Sequence, residues 1–164
     1  GVRPTEVVDK RQHTGELYKD RNKMRALMNG ALETARQKGA HIENAVAAGY
    51  CFGGAAVLEW ARSGAKLKGF ATFHGGLKTP EGQDYSQTKG NLLIMHGSAD
   101  SAITMDQFAA LANELETAGV HHEMVTYSGA QHAFTVLGGS RYHKEADTKS
   151  WKRFNEFLAE TLMQ

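Results

Sequence analysis

The chain has one cysteine, two prolines and almost no net charge. A single cysteine excludes an internal disulfide, and no Cys-x-x-Cys zinc pattern can be written. A formal charge of +1, with basic residues interspersed among acidic ones, leaves no strong field to gather nucleic acid or an anionic membrane. No apolar run approaches the roughly 20 residues that a membrane span needs. Repeats and low-complexity stretches are absent as well. The opening Gly1-Val2-Arg3-Pro4 has neither an initiator Met nor an apolar signal core. It carries no targeting information, and a cytoplasmic protein, processed or truncated at this end, is the expectation.

What remains is an ordinary globular composition. With 164 residues, 41% apolar and 23% charged, the chain is read as one domain, 1–164, with room for a core. The lone Cys51 is either a small buried apolar residue or a reactive thiol, and its setting must decide.

Residues 1–13 are polar and read as loop. The pattern from 14 to 38 predicts a helix with Met24, Met28, Ala31 and Ala35 on one stripe, stopped by Gly39. Strands are expected at 41–48, 67–73, 92–95 and 123–127. Helices are expected at 53–62, 104–118 and 142–162. Thr104 and Gln107 fit a capping box, and the last helix is expected to bury Trp151, Phe154, Leu158 and Leu162. Alternation of this kind predicts a three-layer αβα arrangement around a mostly parallel sheet. Such sheets bind ligands beyond the carboxyl ends of their strands, so the segments just after each strand are where chemistry is sought.

After the first strand stands Gly49-Tyr50-Cys51-Phe52-Gly53-Gly54. A nucleophile on a sharp strand-to-helix turn needs room at the flanking positions, which predicts that glycine is demanded at both 49 and 53. The turn also sets the sulfur at a helix N-terminus, which favours a thiolate, and aims the Phe52 N–H at a developing oxyanion. The alternative is a structural Cys in a Gly-rich turn. After the third strand stands His96-Gly97-Ser98-Ala99-Asp100, where Asp100 either orients a histidine or caps the following helix. After the fourth stands Gly129-Ala130-Gln131-His132-Ala133-Phe134, where His132 is a base or a surface histidine. The order nucleophile, acid, histidine is that of α/β-hydrolases and differs from the chymotrypsin and subtilisin orders. His74, in Phe73-His74-Gly75-Gly76 after the second strand and on the same face, is read as a pocket wall or a residue supporting the reacting groups, or else as purely structural. His121 and His122 read as surface residues, because no further ligand shares their spacing.

These segments, together with Ala146-Asp147 and Ser150-Trp151, resemble the dienelactone hydrolase family over essentially the whole chain. The resemblance implies an α/β-hydrolase fold lacking its N-terminal strands and a Cys51, His132, Asp100 triad. It also implies Phe52 in the oxyanion hole, and hydrolysis of an ester or lactone with no metal and no cofactor. Tyr50, His74 and Phe134 are the expected substrate contacts. The founding enzymes hold a substrate carboxylate with an arginine four residues beyond the histidine. Here that residue is Val136, with Arg141 and Arg3 as substitutes. Family members carry further strands before the point where this chain begins, with a second oxyanion N–H and a Glu that contacts the resting thiol. The strand at 41–48 is therefore expected to present an open edge, met by a missing N-terminal segment or by self-association. A chain without the second donor is expected to be a poor enzyme. The expected partner is a small-molecule ester or lactone, with no nucleic acid and no membrane. Rival readings are a non-catalytic binding or oligomerisation domain, a thioesterase or peptidase on the same fold, and a flavodoxin-like nucleotide binder. The last lacks its phosphate-loop glycine spacing and lysine here.

Overall fold

The computed structural model describes residues 4–163. They form two compact units, one up to Ala40 and one from His41. The first consists of helices α1 (Val7–Lys19) and α2 (Arg21–Gln37). Residues 7–13, expected as loop, are thus helical, and the single helix expected over 14–38 is two. The break is at Asp20, whose carboxylate accepts the Lys23 N–H at 2.9 Å and so caps α2. On α2 the inward stripe is Met24, Met28, Leu32 and Ala35, with Met24 buried, while Ala31 is exposed.

The second unit is built on a four-stranded parallel sheet in the order β1 (Val46–Tyr50), β2 (Gly69–Phe73), β3 (Asn91–Gly97), β4 (His122–Tyr127). Helix α3 (Phe52–Arg62) links β1 to β2, α4 (Met105–Ala118) links β3 to β4, and α5 (Lys144–Leu162) ends the chain. The strand expected from residue 41 starts at Val46, after a single 3₁₀ turn over Ile42–Asn44. Among the described residues β1 is an outer strand, paired only to β2, as the open edge required.

Alternation along β2 shows the layering. A Cβ on Gly69 would strike the Phe157 ring at 2.7 Å, and Phe73 meets Phe154 edge-on at 5.4 Å, so α5 covers the face of residues 69, 71 and 73. Thr72 points the other way, where its Oγ1 would lie 2.1 Å from a Cβ on Gly54 of α3. Helices therefore cover both faces, and the three-layer α/β-hydrolase architecture is confirmed.

The α5 stripe is turned from its expected position. The buried residues are Ala146, Ser150, Phe154, Phe157 and Thr161, at spacings of three and four, whereas Trp151 is 52% exposed and leans on Phe154. Ser150 and Thr161 are small enough to sit against the sheet. Trp151 falls beside the seam, because the expected stripe of 151, 154, 158 and 162 shares only Phe154 with the buried set.

The 74–90 connection is pinned from beneath. Arg62, buried on α3, donates to Glu59 at 2.9 Å, to Gln83 Oε1 at 2.9 Å and to the Tyr85 hydroxyl at 2.7 Å. Glu59 is fully buried, and this pairing is what makes its charge tolerable there.

Candidate active site

Three loops at the carboxyl ends of the strands converge. Cys51 sits between β1 and α3 with φ +50° and ψ −118°, and its N–H donates to Phe73 O at 3.2 Å. Only three non-glycine residues among those described have positive φ, and all belong here: Cys51, His74 (+41°) and Ala133 (+65°), the neighbour of His132. Such backbone costs of order 1–3 kcal/mol per residue and persists only where the surroundings enforce it.

Steric demand on the bend differs from expectation. A Cβ on Gly49 would lie 2.2 Å from Gly53 O, so glycine is required there. At Gly53 a Cβ would meet nothing within 4 Å, which corrects the expected clash at that position. The demanding partner is Gly54, where α3 crosses β2 and a Cβ would reach Thr72 Oγ1 at 2.1 Å and Gly75 Cα at 2.9 Å.

The acid and histidine loops are laced together before their side chains meet. Ser98 N–H donates to Tyr127 O, Ala99 N–H donates to Ala130 O, and Ser98 Oγ accepts the Gly129 N–H at 3.2 Å. Asp100 is 4% exposed. Its Oδ1 accepts the Ala102 and Ile103 N–H groups, both at 2.9 Å, and its Oδ2 accepts the His132 Nδ1–H at 2.8 Å. The two readings of Asp100 both hold in part: one oxygen orders the turn before α4 and the other grips the imidazole. The cap of α4 itself is Thr104, whose Oγ1 faces Gln107 N at 3.5 Å.

With Nδ1 committed to Asp100, Nε2 is the His132 nitrogen left for the sulfur. Cys51 Sγ and one ring nitrogen each of His74 and His132 lie within 4.8 Å of one another. His74 Nδ1 lies 3.3 Å from Sγ, while its Nε2 is 2.8 Å from Thr135 Oγ1. The thiol therefore faces two imidazoles.

Electrostatics favour an ion pair. Burial works against ionisation of Cys51, but hydrogen bonds and charge from His132 and His74 outweigh it and bring the thiol down from 9.0 to about 6. His132 is raised, first by its hydrogen bond to Cys51, against burial, and then by Asp100. Burial disfavours the Asp100 carboxylate, yet the Ile103 amide and His132 hold it below its ordinary range. His96, fully buried beneath the site, is pushed down by burial and donates Nε2–H to Ile103 O at 2.8 Å.

Of the expected substrate contacts, Tyr50 is 44% exposed, stacks on Phe73 at 4.4 Å and lies 5.9 Å from His74. His74, only 1% exposed, touches the sulfur rather than forming a distant wall. Phe134 is fully buried and packs edge-on against His74 at 5.0 Å, so it backs the histidine and does not face solvent. Phe52 opens α3 beside the sulfur. Arg141 is exposed, and Arg3 lies outside the described residues. His121 is exposed; His122 is half-buried, with Nδ1–H donating to Val120 O at 2.7 Å. Thr135 was not anticipated, since a threonine three residues past a histidine carries no spacing signal.

A parallel α/β sheet with a sharply bent cysteine turn and an Asp–His pair at its carboxyl end is the layout of the α/β-hydrolase class. The dienelactone hydrolase family model matches residues 1–162, and the chain belongs to that family, which groups it with the ester and lactone hydrolases. The Caenorhabditis elegans protein K02A2.1 is 28% identical over 121 residues, covering 68% of this chain and 77% of its own length. The crystal structure of a dienelactone hydrolase-like promiscuous phosphotriesterase, P91, from metagenomic libraries is similar at 30% identity and a TM-score of 0.85, covering 95% of this chain and 69% of that one. The structure named m3DLH is similar at 29% identity and a TM-score of 0.87, covering 97% and 70%. Against Escherichia coli relatives, the chain spans about half their length, 49%. Among the described residues no helix is long and apolar enough to cross a membrane.

Proposed function

We propose that the chain hydrolyses carboxylic esters or lactones by acyl transfer to Cys51. The observation that carries this reading is the His132 imidazole, held by Asp100 at 2.8 Å and sharing a cluster of under 4.8 Å with the sulfur. Above about pH 6 the sulfur is drawn to the thiolate, and His132, raised by its hydrogen bond to Cys51, is drawn towards the imidazolium that pairs with it. The thiolate attacks the carbonyl carbon, a C–S bond forms, and the Phe52 N–H at the start of α3 takes the oxyanion. As the C–O bond breaks, the imidazolium gives its proton to the leaving alkoxide. Neutral His132 then takes a proton from water, whose oxygen attacks the thioester, and the acid and thiolate are released. Asp100 fixes the imidazole tautomer throughout.

Tyr50 and His74 are the proposed substrate contacts. Val136 stands where the founding enzymes place an arginine, so a neutral ester fits this site better than a carboxylate-bearing dienelactone. The name of the metagenomic relative adds a second reading, phosphotriester cleavage by the same sulfur, which belongs in the same substrate panel.

Iodoacetamide alkylation against pH tests the thiolate. The sign follows from the shift: a lowered thiol pKa means the reactive form is gained as pH rises through about 6. The rate should climb with a midpoint near that pH and be flat by about pH 7.5, where an ordinary thiol of pKa near 8.5 is still climbing. Aryl-ester turnover should fall in step with alkylation. A midpoint near about 8.5, or turnover that survives full alkylation, contradicts the reading.

A further inference from the structure

In acyl transfer His132 alone supplies the base and the acid, and His74 only steadies the thiolate and meets substrate, so two imidazoles around one sulfur leave room for a second use. We propose that Cys51 Sγ, His74 Nδ1 and His132 Nε2 form a three-point chelating site for a thiophilic divalent cation such as Zn²⁺ or Cd²⁺. Occupancy would sequester the reacting sulfur and stop hydrolysis reversibly.

The first support is spacing. Zinc binds sulfur at about 2.3 Å and imidazole nitrogen at about 2.0 Å, so tetrahedral S and N ligands stand roughly 3.5 Å apart. The Sγ to His74 Nδ1 separation is 3.3 Å, and all three donor atoms fall within 4.8 Å. Closing on a cation therefore asks for a shift of about 1 Å in one side chain, on the tetrahedral spacing given above.

Orientation is the second. A metal-bound histidine characteristically donates its other N–H to a carboxylate or another acceptor, which fixes the ring and the tautomer. His132 has this arrangement with Asp100 Oδ2 at 2.8 Å, and the Thr135 hydroxyl, 2.8 Å from His74 Nε2, is placed to accept from that ring in the same way once its Nδ1 binds the cation. When a cation displaces the protons that the rings share with the sulfur, both can turn a lone pair to the same point.

Rigidity is the third. The ligands come from three loops whose backbone is locked at positive φ at Cys51, His74 and Ala133. His74 is clamped further by Phe134 behind it. Cys51 and His132 are both partly exposed, which leaves an approach for the cation and a fourth position for water or substrate oxygen, as in three-ligand zinc sites. Softness favours Zn²⁺ and Cd²⁺ over Mg²⁺ and Ca²⁺, because thiolate and imidazole suit the former and oxygen ligands the latter. Residues 51, 74 and 132 are far apart in sequence, so no spacing motif announces the site.

The test uses the chain without any ester, so it stands or falls separately from the hydrolytic reading. Cd²⁺ is titrated while the ultraviolet thiolate-to-cadmium charge-transfer band is followed, and Zn²⁺ affinity is read by competition with a chromogenic chelator. One equivalent should bind, with Cys51→Ala abolishing the band. His74→Gln and His132→Gln should each weaken binding at least about 10-fold, and Thr135→Val, which keeps all three ligands, should weaken it about 10-fold. Mg²⁺ should not compete. A band that survives in Cys51→Ala, affinity unchanged in His74→Gln, or no binding at micromolar Cd²⁺ overturns the proposal. If His74→Gln fails to fold, as checked by circular dichroism, Thr135→Val decides: unchanged affinity there counts against a site that includes His74.

Discussion

Cys51→Ala should remove ester turnover almost completely while leaving the fold intact. In hydrolases whose catalytic groups act as a unit, deleting the nucleophile costs about 10⁶ in kcat, and what remains is the roughly 10³-fold that oxyanion donors and binding give over water. The side chain lost is small and half-buried, so stability should change by about 1 kcal/mol or less. Removing the sulfur leaves the Asp100 to His132 hydrogen bond in place, because Asp100 holds its other contacts to Ala102 and Ile103. His132 itself should titrate lower in the variant, since its hydrogen bond to Cys51 is the largest cause of its raised pKa. An NMR titration of the ring checks that independently of turnover. Cys51→Ser is a sharper comparison. A hydroxyl has no comparable tendency to ionise, so His132 would have to act as a true base, and activity should fall well below that of the thiol. Retention of full activity in Cys51→Ala would remove the sulfur from the mechanism.

The second large effect is structural and falls on Gly49. An alanine there would put its methyl 2.2 Å from Gly53 O and 2.3 Å from Gly53 C, both backbone atoms with no rotamer to escape through. Either β1 moves away from β2, losing the Val46 to Tyr50 pairing, or the first turn of α3 unwinds. Overpacking normally costs about 1–3 kcal/mol, and a clash with backbone belongs at or above the top of that range. Gly49→Ala should therefore lower stability by about 3 kcal/mol or more, read as the midpoint of urea unfolding. Gly53→Ala, four residues on and in the first turn of α3, is the contrast. Nothing lies within 4 Å of its Cβ, and removing a glycine from a helix gains about 0.5–1 kcal/mol. Opposite signs at two glycines of one motif would show that the bend is held by packing of β1 against α3. Equal and small effects would mean that the close approach at Gly49 is absent from the protein in solution.

Much of this was readable before any coordinates. Short apolar runs located β2, β3 and β4, helical patterns located α3, α4 and α5, and the rule that ligands sit beyond parallel-strand ends directed attention to Cys51, Asp100 and His132. Through-space facts were not readable. Nothing in the sequence says that His74 comes nearer the sulfur than an ordinary pocket wall would, nor that Thr135 holds its far nitrogen. Phe134 looked like a substrate contact because it follows the histidine loop, but positive φ at Ala133 turns the chain and sends the ring into the core. Gly53 looked obligatory from the motif, whereas the steric demand belongs to Gly54, where helix and strand cross. Trp151 stood at helical spacing with Phe154, Leu158 and Leu162, but the seam of α5 runs past it through Ser150 and Thr161. Asp20 was missed as a cap because the apolar pattern continues across it.

One measurement bears most directly on the central claim that a thiolate at the β1–α3 bend carries the acyl group. The chain is mixed with excess 4-nitrophenyl acetate, quenched in acid during steady-state turnover, digested and sequenced by tandem mass spectrometry. The account predicts one acetyl group, on the Cys51 peptide as a hydroxylamine-labile thioester, absent from Cys51→Ala. An acetyl group carried elsewhere during turnover, or an unmodified Cys51 while nitrophenol is released catalytically, would contradict it.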